Sequence, residues 1–225
     1  MLGGMMDDLE KILRNQEDIL AMQYLAPLCG EYLPWSGYAM RPSGLVQVLN
    51  EIVINQRSKI VECGAGVSTF YIARLLRQKG GHLYTIEHNL DWMNWVQGEL
   101  ERESLSHLVT LVYAPLQPTD LSLQNTPWYD TEILRATLGS LQGIDLLLVD
   151  GPPAYEESIQ YSRYPALPYF LPQFAPDVTV VIDDANREGE REIIKRWEGL
   201  LNVGFEQKDG YIAIARFQHS GNSDE

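Results

Sequence analysis

The spacing of apolar residues changes character along this chain, and the changes mark its elements. Over 5–23, Leu9, Ile12, Leu13, Ile19 and Leu20 recur at helical intervals with polar residues between them, which predicts an amphipathic helix. The stretch PLCGEYLPWSGYAMRPSG, rich in proline, glycine and aromatics, breaks that pattern. Helical spacing returns from Ser43 to Asn55, with Leu45, Val46, Leu49 and Ile52 facing inward and Ser43 as the expected N-cap. From residue 59, short continuous apolar runs alternate with helical ones. KIVEC, HLYTIE, LVTLVYA, IDLLLVD and VTVVIDD read as strands. Helices are predicted over 68–79 and 90–103, near 130–141, near 160–172, and over 188–199. VGFEQ and YIAIARF read as a hairpin turned by Lys208, Asp209 and Gly210.

Strands that are apolar throughout, separated by helices, imply a parallel sheet covered on both faces. The expected fold is therefore α/β, a Rossmann-like doubly wound sheet of about seven mostly parallel strands with an antiparallel C-terminal hairpin strand. Residues 1–57 are expected to form N-terminal helices and a lid packed on the core domain of 58–218, with 219–225 a disordered tail.

Composition narrows the partners. A formal net charge of −14 repels phosphate backbones and anionic lipid, so neither nucleic acid nor a membrane surface is the expected partner. No apolar run approaches the ~18 residues of a membrane span. The N-terminus lacks a basic region followed by an apolar core, so it does not read as a secretory signal. The two cysteines, Cys29 and Cys63, have no metal-like spacing and read as reduced thiols of a cytoplasmic protein. The oligomeric state stays open, since the first helix can pack on its own domain or on that of a second copy.

The chemistry begins at Glu62-Cys63-Gly64-Ala65-Gly66-Val67-Ser68-Thr69, directly after the first strand of the alternating region. Gly64 and Gly66 let the backbone turn and approach a ligand, and the helix that follows points free N–H groups into the same space. Glu87, 23 residues after Gly64, ends the second strand, where a carboxylate can accept hydrogen bonds from both hydroxyls of a ribose. A dinucleotide fingerprint needs a third glycine where Thr69 stands. Acid-x-Gly-x-Gly instead resembles motif I of the class I methyltransferases. That resemblance implies S-adenosylmethionine as cofactor, with Glu62, Gly64, Ala65, Gly66, Ser68 and Thr69 around its methionine end and Glu87 on its ribose. It also places Ala114, in the loop after the third strand, beside the adenine, while His88 could lie along the adenosine.

Asp150 ends the fourth strand, and Asp183 and Asp184 end the fifth, so three carboxylates converge on the carboxyl edge of the sheet. They repel one another unless a cation or a proton intervenes. Mg²⁺ or Mn²⁺ would suit such oxygens, grip an acceptor and lower the pKa of its hydroxyl. The layout resembles metal-dependent O-methyltransferases related to catechol O-methyltransferase. It is closer still to the methyltransferase-24 type, which includes a cephalosporin-pathway enzyme. The DGPP and DDANR stretches are also similar to plant glucuronoxylan methyltransferases. The resemblance spans about residues 58–217 and implies Asp150, Asp183 and Asp184 as metal ligands, although catechol-type enzymes carry asparagine where Asp184 stands. In the metal-free alternative, Asp150 or Asp184 is the general base, and Asp183 caps a helix or anchors its loop.

Two segments are expected to wall the acceptor pocket. One carries Trp35, Tyr38 and Arg41, and the other Tyr155, Arg163 and Tyr164, with Arg187 nearby. Aromatics interleaved with arginine suit a small planar or sugar-like acceptor bearing negative charge. The expected activity is methyl transfer, in all expectation to oxygen. Two competing readings are an NAD-dependent oxidoreductase or sugar-nucleotide enzyme, against which the missing third glycine speaks, and a non-catalytic nucleoside-binding module.

Overall fold

The computed structural model describes the backbone of residues 2–219 and the side chains of Leu9 and of residues 11–219. Two helices come first, α1 (Leu2–Leu25) and α2 (Pro42–Ile54). The alternating region follows with β1 (Lys59–Cys63), α3 (Val67–Lys79), β2 (His82–Glu87), α4 (Leu90–Arg102) and β3 (Val109–Tyr113). Two short strands, β4 (Leu116–Gln117) and β5 (Trp128–Tyr129), pair with each other, and α5 (Thr131–Leu138) leads to β6 (Ile144–Val149). The chain closes with α6 (Ala166–Phe170), β7 (Phe174–Ile182), α7 (Glu188–Leu201), β8 (Glu206–Lys208) and β9 (Ile212–Gln218).

The main sheet has seven strands in the order β3-β2-β1-β6-β7-β9-β8. Pairings from β3 to β7 are parallel, and β9 runs antiparallel to both β7 and β8. Neighbouring residues of one strand feed opposite faces. Leu146 and Leu148 of β6 join a core built with α2, α3 and α4, whereas Leu147 and Val149 join one built with α5, α6 and α7. Both faces are dry, as the unbroken apolar strands require.

Two local expectations change, and two further features were not predicted. Three prolines, Pro165, Pro168 and Pro172, cut the helix expected near 160–172 to the five residues of α6 and a 3₁₀ turn over Leu171–Gln173. The β4–β5 pair was not anticipated, because two-residue strands carry no period. Ser43 does not cap α2; Arg41 holds that place, and Asp18 of α1 accepts bonds from both the Ser43 amide (3.1 Å) and its hydroxyl (2.6 Å). The apolar stripe that gives α1 its period faces outward. Ala21 and Leu25 are buried, while Leu9, Ile12, Leu13, Ile19 and Leu20 are exposed, because Arg14 and Asp18 on the opposite face bond to Tyr211 and to Arg41 and Ser43. The tail expectation falls, beyond His219, outside the described residues; His219 itself donates its amide to Pro176 O. Among the described residues no helix is long and apolar enough to cross a membrane.

Candidate functional site

Chain connections run one way from β1 to β2 and β3 and the other way from β6 to β7, so the sheet has its switch point between β1 and β6. Ligands of such sheets bind in the crevice outside the carboxyl ends of those two strands. Here the backbone of each strand end is pinned to its neighbour. Gly64 N donates to Ile86 O (2.9 Å), Asp150 N to Cys63 O (3.0 Å) and Asp183 N to Val149 O (3.0 Å). Above these pinned ends lies a cavity of about 310 Å³, reached by Gly64, Gly66, Glu87, Asp150, Asp183 and Asp184. An adjoining compartment of about 290 Å³ shares Gly66, Glu87, His88 and Asn89 and adds Trp92.

The glycine turn is built from below. Glu62 is fully buried and accepts hydrogen bonds from Ser68 Oγ (2.5 Å), Thr69 Oγ1 (2.7 Å) and Thr85 Oγ1 (2.8 Å). Thr69 Oγ1 in turn accepts from the Gly66 amide (3.0 Å). Burial pushes the Glu62 carboxyl up to about 7, the three hydroxyls opposing the rise. Glu62 and Thr69 therefore do not reach the cavity, against the sequence expectation; they tie the turn to the sheet. Ser68 lines the cavity, although its hydroxyl is spent on Glu62.

Glu87 is almost buried and already heavily used. Its Oε1 accepts from the amides of His88 (2.8 Å) and Asn89 (2.7 Å), and its Oε2 from Ala65 N (3.1 Å). A carboxylate has about four acceptor positions. Glu87 Oε2 thus retains acceptor capacity for a ligand hydroxyl. Ala114 is fully buried and donates its amide to Glu87 O, so it stands behind the strand ends and not in the crevice. His88, Asn89 and Trp92 line the adjoining compartment. Asn89 caps α4 through Trp92 N (3.0 Å), and the Trp92 indole donates to Ala65 O (2.8 Å).

At the other end, Asp150, Asp183 and Asp184 each offer an oxygen within 4.8 Å of the others. Asp184 takes φ +58°, a left-handed conformation that aspartate and asparagine tolerate better than most residues. The chain itself puts cations beside this cluster. Arg163, expected at the acceptor, does line the cavity but is buried beside the acids and donates to the carbonyls of Asp150 (2.9 Å), Pro152 (3.2 Å) and Asp183 (3.2 Å). Its Nη1 lies 3.0 Å from Asp184 Oδ2 and 3.5 Å from Glu190 Oε1. Arg187 Nη1 meets the same Asp184 oxygen at 2.8 Å and keeps part of its side chain exposed. Two arginines face four carboxylates, and the acids respond. Burial, then the charge of Asp183, raises Asp150 well above the carboxylate range. Burial and the charge of Asp184 push Asp183 up to about 6. Burial likewise pushes Glu190 up to about 7. Asp183 does not cap α7, whose N-cap position is Arg187.

Tyr38 and Tyr155 stand over the cavity with ring centroids 6.0 Å apart, so the two predicted walls do meet. Trp35 and Arg41 leave this group. Trp35 packs edge-on against Tyr71 (6.0 Å), and Arg41 pairs with Asp18 (2.5 Å); both border a separate groove against α1. Asn89, Trp92 and Tyr129 line the site and escaped the sequence reading. Asn89 was findable as a cap before Leu90. Tyr129 was not, since only the β4–β5 pairing turns it toward the crevice.

Fold and site together define a class I, S-adenosylmethionine-dependent methyltransferase. The sequence model of the methyltransferase-24 family, described as a methyltransferase domain, matches residues 61–185, more than half of the chain, and the chain belongs to this family. No curated protein matches it. Several solved structures share the fold at low identity. An O-methyltransferase of Bacillus cereus, solved with S-adenosylhomocysteine, is 15% identical with a TM-score of 0.59, covering 89% of this chain and 90% of that one. The O-methyltransferase TomG of Streptomyces achromogenes, involved in tomaymycin synthesis and solved with S-adenosylmethionine, is 16% identical with a TM-score of 0.57, covering 80% and 81%. A methyltransferase of Podospora anserina, bound to S-adenosylhomocysteine, is 12% identical with a TM-score of 0.60, covering 95% of each chain.

Proposed function

We propose that the protein methylates an oxygen of a small acceptor, with the nucleoside of S-adenosylmethionine beside Glu87 and the acceptor over the aspartates between Tyr38 and Tyr155. The observation that carries this reading is the convergence of Asp150, Asp183 and Asp184 on the cavity whose other end holds Glu87. Methyl transfer from a sulfonium is an in-line displacement, so the acceptor oxygen must lose its proton and point at the methyl group. Carboxylates at one end of a shared cavity serve the first need, and the shared cavity serves the second. The bound ligands of two O-methyltransferases of this fold, from Bacillus cereus and Streptomyces achromogenes, agree with it. An NAD-dependent activity is not favoured by the family match.

The donor set fits a hard divalent cation. It consists of carboxylate oxygens only, and the raised Asp150 and Asp183 mark a cluster still short of positive charge. Asp150, Asp183 and Asp184 would hold Mg²⁺ or Mn²⁺, which when bound supplies charge that lowers the pKa of an acceptor hydroxyl. Tyr38 and Tyr155 orient the acceptor and exclude water, and Arg187 offers its exposed side to negative charge on it. A second reading has its own support in Arg163, a permanent cation already inside the cluster. In that case Asp150 takes the acceptor proton itself.

Labelled methyl transfer to a panel of phenols, sugars and hydroxy acids tests the activity. Asp150→Asn should lower turnover about 100-fold or more while S-adenosylhomocysteine affinity stays near that of the wild type. Full turnover in that variant would remove the aspartates from the chemistry. Loss of activity in EDTA, restored by Mg²⁺ or Mn²⁺, selects the metal reading over the base.

A further inference from the structure

Between the two ends of the cavity lies a group that the reading above does not use. Tyr129 is fully buried, yet it lines the cavity. Its hydroxyl has no hydrogen-bond partner in the protein. The ring is held edge-on against Trp128 at 5.6 Å, and the β4–β5 pairing fixes the backbone on which both sit. Gly151 packs directly against the hydroxyl. A Cβ on Gly151 would come within 2.6 Å of the Tyr129 oxygen and 2.8 Å of Gly64 Cα. Any side chain at 151 would therefore press on the hydroxyl.

A buried polar group without a partner costs about 1–3 kcal/mol. Phenylalanine would give the same packing without that cost, so the hydroxyl has its use in a state of the protein in which something accepts its proton. Burial and the neighbouring charges of Glu87 and Asp150 hold the phenol protonated, hence a donor. Glu87 already accepts three amides and Asp150 faces Arg163, and neither is bonded to the hydroxyl.

We infer that Tyr129 is a cofactor-binding residue whose O–H donates to an oxygen of the bound nucleoside–amino-acid ligand, in the portion that methyl donor and demethylated product share. The inference rests on the cavity being the S-adenosylmethionine site. It requires that the hydroxyl favour the liganded protein and disfavour the empty one, so its removal moves affinity and stability in opposite directions.

Calorimetry and thermal melts on Tyr129→Phe test this. One neutral hydrogen bond is worth about 0.5–1.5 kcal/mol, so both S-adenosylmethionine and S-adenosylhomocysteine should bind roughly 3- to 10-fold more weakly, in equal proportion. The ligand-free variant should melt no lower than the wild type. Wild-type affinity for S-adenosylhomocysteine in the variant overturns the inference. So does a lower melting temperature of the empty variant, which would reveal a structural partner for the hydroxyl. If the wild type itself fails to bind S-adenosylhomocysteine, the cofactor reading falls and takes this inference with it.

Discussion

Gly64 takes φ +93°, and a Cβ there would meet the backbone of Gly151 at 3.1 Å. Gly66 takes φ −173°, an extended conformation open to any residue, and a Cβ there would meet nothing within 4 Å. The first glycine is required by the fold of the turn, whereas the fold puts no such demand on the second. Gly64→Ala should therefore lower stability by about 1–3 kcal/mol, read as a shift in urea midpoint. Gly66→Ala should leave that midpoint in place and weaken S-adenosylhomocysteine binding about tenfold or more. Unchanged affinity in Gly66→Ala would show that the ligand does not run over this turn. Glu87 makes the same point about double duty, since three backbone amides claim it before any ribose arrives.

At the scale of elements, the first two helices are joined by a cap that crosses between them. Asp18 of α1 accepts from the amide and hydroxyl of Ser43 at the start of α2 and pairs with Arg41 just before it. A helix N-terminus offers unpaired amides and partial positive charge, and a carboxylate satisfies both wherever in the chain it originates. Asp18→Ala should cost about 1 kcal/mol, lowering Tm by roughly 2–4 °C. Asp18→Asn should restore much of that, because an amide oxygen still accepts. A melt unchanged in Asp18→Ala would mean that Ser43 is capped by solvent as well as by α1. The long loop between β3 and α5 works in the opposite manner. Only four of its residues pair, but that pairing delivers Trp128 to the core and Tyr129 to the crevice.

For the whole molecule, the balance of acid and base sets how stability responds to pH. Glu62 and Glu190 ordinarily titrate near 4.5 and are held up to about 7 by burial. Between those values the native protein binds protons that the unfolded chain has released. Their contribution to stability is therefore complete below about pH 4.5 and is lost as pH rises through about 7. The net charge of −14 pushes the same way, since repulsion grows as carboxylates ionise. The ligand-free protein should show a falling Tm from about pH 5 to about pH 7.5, and Glu62→Gln should flatten part of the fall. A Tm that rises across that range would contradict the burial of these acids.

The period of apolar residues along the chain was enough to determine the α/β class, the order of strands and helices, the two covered faces and the position of the glycine turn. Those features follow from local backbone geometry and from which residues water rejects. Glu87, Asp150, Asp183 and Asp184 were legible too, because each sits where a strand ends and a ligand crevice must open. What each charged residue faces was decided only by the tertiary structure. Arg163 lies 13 residues from Asp150 and 20 from Asp183, and only the packing of the loop after β6 brings its guanidinium beside them. Trp35 and Arg41 turned away from the cavity because Tyr71 and Asp18 were nearer partners. Hydrogen bonds and ion pairs act over a few ångströms in space, so a side chain's role follows from its neighbours in the fold, which spacing along the sequence does not specify.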